Sequence, residues 1–129
     1  MSLPKDLKYT REHEWIRVDG NTATVGITDF AQSELGDLVY VEVDTLEDEL
    51  DQNDVFGTVE AVKTTSELYM PISGKVIAFN PELDEDEGDN PAIINEDPYE
   101  QGWIIKIEIS DDSELEELLS AEDYHDIIS

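Results

Sequence analysis

Short runs of alternating apolar and polar residues follow one another along this chain, the period-2 pattern of half-buried strands. Trp15-Ile16-Arg17-Val18 leads into Asp19-Gly20, a hairpin signal, and then into Thr22-Ala23-Thr24-Val25-Gly26-Ile27. In that second run Ala23, Val25 and Ile27 share one face and the threonines take the other. Thr28 or Asp29 is placed to cap a short helix over residues 30–35, and Gly36 to end it. Residues 38–43 read as a strand in which Val39, Val41 and Val43 alternate with larger or polar residues. Residues 44–54 are polar, a loop or a short edge. Residues 55–72 read as strand, tip, strand. Val55, Gly57, Val59 and Ala61 lie on one face, and Leu68, Met70 and Ile72 meet them from the returning run. Ser73-Gly74 turns the chain into a strand over 75–79, and a last strand runs over 103–109 with Trp103, Ile105, Ile107 and Ile109 on one face. Pro91 and Pro98 suit loops. Ser113-Glu114-Leu115-Glu116 has capping-box form, and Leu115, Leu118 and Leu119 follow at helical spacing, which predicts a C-terminal helical segment over about 113–128. Many short strands with frequent turn signals predict a mainly β, antiparallel sandwich or barrel-like sandwich with a small terminal helix.

A length of 129 residues suits one domain over 1–129, with no linker and no strict repeat. The chain carries 34 acidic residues against 7 Lys+Arg, a formal net charge of -27, while 39% of it is hydrophobic, enough to build a core. A phosphate backbone and an anionic lipid surface would both repel such a chain, so neither nucleic acid nor membrane is an expected partner. Basic docking surfaces are the partners this charge suits, and screening of self-repulsion by salt should raise thermal stability. With no cysteine, a disulfide framework, a thiolate metal site and a cysteine nucleophile are excluded. No apolar run approaches the roughly 18 residues that span a bilayer. Residues 1–10 have neither an apolar signal core nor an Arg/Ser-rich amphipathic stretch, so the expected location is the cytoplasm.

Beyond residue 18 the chain has three lysines, Lys63, Lys75 and Lys106. Lys63 falls at the tip between two well-patterned strands. A covalent-arm carrier needs such a site: the amine is reachable by a modifying enzyme and the strands fix where the arm begins. An ordinary solvated lysine fits the same position. His13 and His125 are far apart and form no metal-ligand or catalytic spacing, and no phosphate loop or nucleophile elbow occurs. Residues 82–90 hold six carboxylates and read as an exposed loop. Counted from Asp84, the twelfth place of a calcium loop falls on Asn95 rather than Glu, so no metal site is assigned. Trp15 and Trp103 read as packing residues. Taken alone, Glu12, Glu14 and Glu67 read as surface acids.

The stretch Glu60-Ala61-Val62-Lys63-Thr64-Thr65-Ser66-Glu67-Leu68-Tyr69, followed by Pro71-Ile72-Ser73-Gly74, closely resembles the lipoylation segment of the glycine cleavage system H protein family. His13-Glu14-Trp15, Val25-Gly26-Ile27-Thr28 with Ala31-Gln32, Leu35-Gly36-Asp37, Asn95-Glu96-Asp97-Pro98-Tyr99 and Gly102-Trp103 fit the same family in the same order. The family most often has Ser where Ala61 stands, Asp where Glu67 stands and a small hydroxyl residue where Glu12 stands. The resemblance implies a lipoyl-domain-like antiparallel barrel-sandwich hybrid, with a short helix after the second strand and a C-terminal helix. It implies a monomeric carrier subunit rather than an enzyme, with no catalytic residue of its own. Lipoate would be joined in amide linkage to Lys63, and Glu14, Glu67 and Glu12 would line the cleft into which the arm folds. The arm would take methylamine from glycine at the pyridoxal-phosphate-dependent glycine decarboxylase (P protein). It would pass the unit to the tetrahydrofolate-dependent aminomethyltransferase (T protein) and be reoxidised by dihydrolipoamide dehydrogenase (L protein). A lipoate-attaching enzyme would be a fourth partner. Because the reactive sulfurs belong to the cofactor, a cysteine-free chain can still serve redox chemistry. Two alternatives share the same residues: an H-like protein that relays lipoate to other acceptors, and an unmodified acidic binding module.

Overall fold

The computed structural model describes residues 3–128, and in it the chain forms two antiparallel sheets. The strands are β1 (Lys8–Tyr9), β2 (Glu14–Asp19), β3 (Thr22–Ile27), β4 (Leu38–Glu42), β5 (Glu49–Leu50), β6 (Val55–Ala61), β7 (Thr65–Tyr69), β8 (Gly74–Phe79) and β9 (Ile105–Ile109). The larger sheet runs β1-β2-β3-β9-β8-β5 and the smaller β4-β6-β7. The β2–β3 hairpin closes with Asp19 paired to Thr22 and Gly20 at φ 64, the first central position where a type II′ turn needs glycine. The chain leaves the larger sheet after β3 through α1 (Asp29–Leu35). Thr28 caps α1 by accepting from the Ala31 N–H at 3.2 Å, and Gly36 ends it.

The inner faces supply one contiguous core. Ile16, Ala23, Val25 and Ile107 come from the larger sheet, Val41, Phe56, Val59 and Leu68 from the smaller, and all are buried. Each large side chain so buried contributes about 1.5–3 kcal/mol relative to exposure. Alternation sends Trp15 to the opposite face from Ile16. There Trp15 joins Leu7, Tyr9 and Tyr124 in a second cluster beneath α3 (Ala121–Ile128).

Departures from simple alternation have identifiable causes. A register shift between Leu38 and Tyr40 in β4 buries Leu38 and leaves Val39 48% exposed, so the expected Val39-Val41-Val43 face is broken. A second shift in β6 turns Val55 out and Phe56 in. Residues 82–90 are largely exposed turns, with Leu83 buried beneath them. Pro91 opens a short helix, α2 (Ala92–Glu96), that strand and loop patterning did not predict. The C-terminal segment is not continuous. A 3-10 turn over Asp112–Glu117 ends at the extended Leu118. Leu119 then exchanges two 2.8 Å backbone hydrogen bonds with Tyr9, and α3 starts only at Ala121. Glu114 is drawn aside, its carboxylate accepting from Ser73 N at 2.6 Å and Ser73 Oγ at 2.9 Å.

Candidate functional site

Lys63 stands exposed at the turn between β6 and β7. The Ala61 N–H donates to Thr64 O at 2.7 Å and closes that turn. The Val62 N–H donates to Asp37 O at 3.1 Å and ties the tip to the chain just past α1. The lysine side chain runs over Gly36: a Cβ built there would lie 3.5 Å from Lys63 Cε and 3.9 Å from Nζ. Gly36 is at φ 83, which L side chains rarely adopt, so its residue type keeps both this corner and the floor beneath the amine. The corner is braced from α2. Asn95 Nδ2 donates to Gly36 O and to Gln32 Oε1, both at 2.9 Å, and Asn95 Oδ1 accepts from Leu38 N at 3.0 Å. The other two lysines of this part of the chain are engaged. Lys75 pairs with Glu47 at 3.4 Å, and the Lys106 ammonium lies 5.1 Å from the Trp103 ring centroid. Among the described residues Lys63 has no carboxylate within ion-pair range.

Beside α1, towards β6 and β7, lies a groove of about 240 Å³. Ile27, Phe30, Ala31, Leu35, Val59 and Leu68 give it apolar walls, and Glu12, His13, Glu34, Ser66 and Glu67 its polar ones. Phe30 with Glu34, and Ala31 with Leu35, are i,i+4 pairs, so one stripe of α1 supplies four of these residues. The Glu67 carboxylate accepts from the Tyr69 hydroxyl at 3.3 Å and pushes that phenol's pKa up. A larger hollow of about 500 Å³, lined by Leu3, Lys5, Ala121 and His125 among others, opens between the N-terminal segment and α3 and shares no residue with the groove.

Of the three carboxylates expected to line an arm cleft, Glu12 and Glu67 do line this groove. Glu14 does not: it is 1% exposed and lies behind the wall. Its Oε2 accepts from Tyr69 N at 2.8 Å and its Oε1 from Thr10 Oγ1 at 3.2 Å. Burial pushes its pKa up to about 8, against the two hydrogen bonds that favour the anion. Glu14 therefore links β2 of one sheet to β7 of the other and is already engaged. Phe30 and Glu34 were missed by sequence reasoning, although their helical spacing marks them as neighbours. His13 and Asn95 carried no local signal, since their partners Tyr124 and Gly36 are distant in sequence.

Among the described residues no group of His, Cys, Asp or Glu is arranged to hold a metal ion, and no helix is long and apolar enough to cross a membrane. Residues 7–129 match the sequence model of the family described as glycine cleavage H-protein. The glycine cleavage system H protein of Staphylococcus saprophyticus is 55% identical over 128 residues, covering 99% of this chain and 98% of its own. That of Staphylococcus epidermidis is 56% identical over the same length and shares. The crystal structure of a glycine cleavage system H protein from Mycobacterium marinum superposes with a TM-score of 0.81 at 33% identity, covering 96% of this chain and 97% of the other.

Proposed function

This chain belongs to the glycine cleavage H-protein family, a family of lipoyl carriers, and from that premise we propose that Lys63 is the lipoyl acceptor and that the groove beside α1 shelters the arm. The observation that carries this reading is the Lys63 amine itself. It is exposed at a hydrogen-bonded turn, without a carboxylate partner among the described residues, and lies over Gly36 at the end of the helix whose stripe lines the groove. The residues fit such an arm. Amide linkage abolishes the charge of a group whose ordinary pKa is about 10.4, so an extended apolar chain can lie against Leu35, Ala31 and Val59. When bound, the lipoyl group supplies a dithiolane that accepts both the methylamine unit of glycine and a pair of electrons.

The chain's own residues bind, orient and shield. The β6–β7 turn fixes the root of the arm, and Asn95 holds Gly36 beneath it. Phe30, Ile27 and Leu68 exclude water from the groove. Glu67 and Glu12, with Glu34 on α1, present carboxylates to a cationic amine carried on the arm. Tethering raises the arm's local concentration at each enzyme it visits. The partners of this reading are glycine decarboxylase, aminomethyltransferase, dihydrolipoamide dehydrogenase and a lipoate-attaching enzyme, met by a monomeric carrier in the cytoplasm.

Intact-mass analysis and peptide mapping of the protein from its own host should find one lipoyl adduct, on Lys63. Lys63→Arg should fold, lack the adduct and support no glycine-dependent exchange of labelled bicarbonate with the decarboxylase. An adduct on Lys75 or Lys106, or none, sinks the assignment. An adduct on Lys63 without exchange activity favours lipoate relay.

A further inference from the structure

His13 stands apart from the other polar residues of the groove. Its backbone sits at φ 69, held by a hydrogen bond from its N–H to Thr10 O (3.1 Å) and one from Thr28 N to its carbonyl (3.0 Å). Its ring lies 5.1 Å from Phe30 and 5.7 Å, edge-on, from Tyr124 of α3. Nδ1 is 2.8 Å from the Tyr124 hydroxyl oxygen, and that oxygen is 2.7 Å from Thr28 Oγ1. Thr28 and Tyr124 are fully buried, so each hydroxyl proton must find its acceptor within this short chain of groups.

The direction of the chain follows from its far end. An N–H can only donate, so Thr28 Oγ1 accepts from Ala31 N as the cap of α1. The Thr28 proton has one acceptor in reach among the described residues, the Tyr124 oxygen. The Tyr124 proton then has one acceptor left, His13 Nδ1. A neutral imidazole carries a single proton, and with Nδ1 accepting, that proton stands on Nε2. Burial lowers the His13 pKa against the opposing pull of Glu12 and Glu34, a shift in favour of the neutral ring. The other polar side chains of the groove offer acceptors: Glu12, Glu34 and Glu67 are carboxylates, and the Ser66 hydroxyl is turned onto the Glu67 carbonyl at 3.4 Å.

We infer that Tyr124, reaching in from the C-terminal helix, is a positioning residue for the groove: it fixes neutral His13 as the Nε2–H tautomer, so that the ring offers a fixed N–H donor to a sulfur or amide oxygen of the arm. The tautomer stands on the hydrogen-bond geometry alone. Its use toward the arm rests on the carrier reading given above.

Two measurements test the two parts separately. Nitrogen-15 NMR of the histidines in unlipoylated wild-type protein at neutral pH should show His13 with Nδ1 bare and Nε2 protonated. Tyr124→Phe keeps the ring that stacks on Tyr9 and removes only the hydroxyl. It should give a mixture of tautomers at His13 and leave His125 unchanged. In lipoylated, amine-loaded protein the same substitution should speed release of the cargo about fivefold, the kinetic equivalent of one ordinary hydrogen bond. A wild-type His13 protonated on Nδ1 overturns the proposal, and that result needs no variant to fold. An unchanged tautomer in Tyr124→Phe, or an unchanged release rate beside a changed tautomer, overturns the positioning role. Failure of Lys63 to carry lipoate would overturn the carrier reading while leaving the tautomer result intact.

Discussion

The buried core between the sheets is aliphatic apart from Phe56 and Met70, whereas the buried members of the cluster beneath α3 are Tyr9, Trp15 and Tyr124 with a single leucine, Leu7. Each of these three buried aromatics ends in a bound polar atom. The Tyr9 hydroxyl donates to Pro4 O at 2.6 Å and Trp15 Nε1 to Pro98 O at 2.9 Å, while the Tyr124 hydroxyl bridges His13 and Thr28. Aliphatic burial is strong but without direction, so it fixes which sheet faces which and says little about where a particular atom lies. Aromatic side chains with polar tips add an address. Here the addresses are the N-terminal segment, the turn after α2 and the groove wall. The two regions should therefore respond differently to substitution, the first in stability alone and the second less in stability but also in the placement of the atoms its polar tips hold.

Truncation in the aliphatic core gives the largest expected effect. Phe56→Ala should destabilise by about 3–5 kcal/mol through lost burial and a residual cavity, read as the midpoint of urea unfolding. In the fraction still folded, the His13 NMR signals should be unmoved. A loss below about 1 kcal/mol would show that the smaller sheet does not depend on this contact.

Glu14 lies between the two regions, next to Trp15 in β2 and bonded to β7, and its response is set by pH. Burial raises its pKa from 4.5 to about 8 in the folded state. The folded protein thus binds this proton more tightly than the unfolded chain. Its contribution to stability is fully present below pH 4.5, is lost as pH rises through 8 and changes no further above that. Glu14→Gln does not titrate and can still accept from Tyr69 N. Relative to wild type it should gain on the order of 2–4 kcal/mol between pH 5 and pH 8.5, measured as the difference of two denaturation curves at each pH. Taking the difference cancels the general repulsion among the other carboxylates. A gap that is constant with pH, or that closes as pH rises, contradicts the buried, proton-retaining placement.

Removal of a polar tip from the aromatic cluster gives the smallest effect. Tyr9→Phe keeps the stack on Tyr124, with ring centroids 5.0 Å apart and planes within 9°, and loses only the bond to Pro4 O. About 1 kcal/mol of stability should go, with earlier amide exchange in the N-terminal segment. A loss as large as that of Phe56→Ala would erase the distinction between the two regions.

The longer strands, the capped helix and the exposed tip bearing Lys63 were legible in the sequence alone, because each depends on spacing or turn chemistry within a few residues, whereas the two-residue β1 was not and the last strand starts at Ile105 rather than Trp103. Thr28 and Gly36 bracket α1 as their types dictate, and the alternation through Ala23, Val25 and Ile27 faces the core. Composition likewise excluded a disulfide scaffold without any coordinates. Tertiary structure decided what local pattern does not encode. A one-residue shift in β4 exposes Val39, because register is set by the partner strand. The expected C-terminal helix breaks because the backbone of Leu119 pairs with Tyr9 before α3 begins. Glu14, which the resemblance put in an arm cleft, is a buried link between sheets outside the groove beside α1, and His13 lines that groove with Tyr124, 111 residues away, as its partner. For Leu119, Glu14 and His13 the deciding term is the need of a polar group for a partner, and that partner is supplied by whichever distant segment the packed sheets bring within hydrogen-bonding distance.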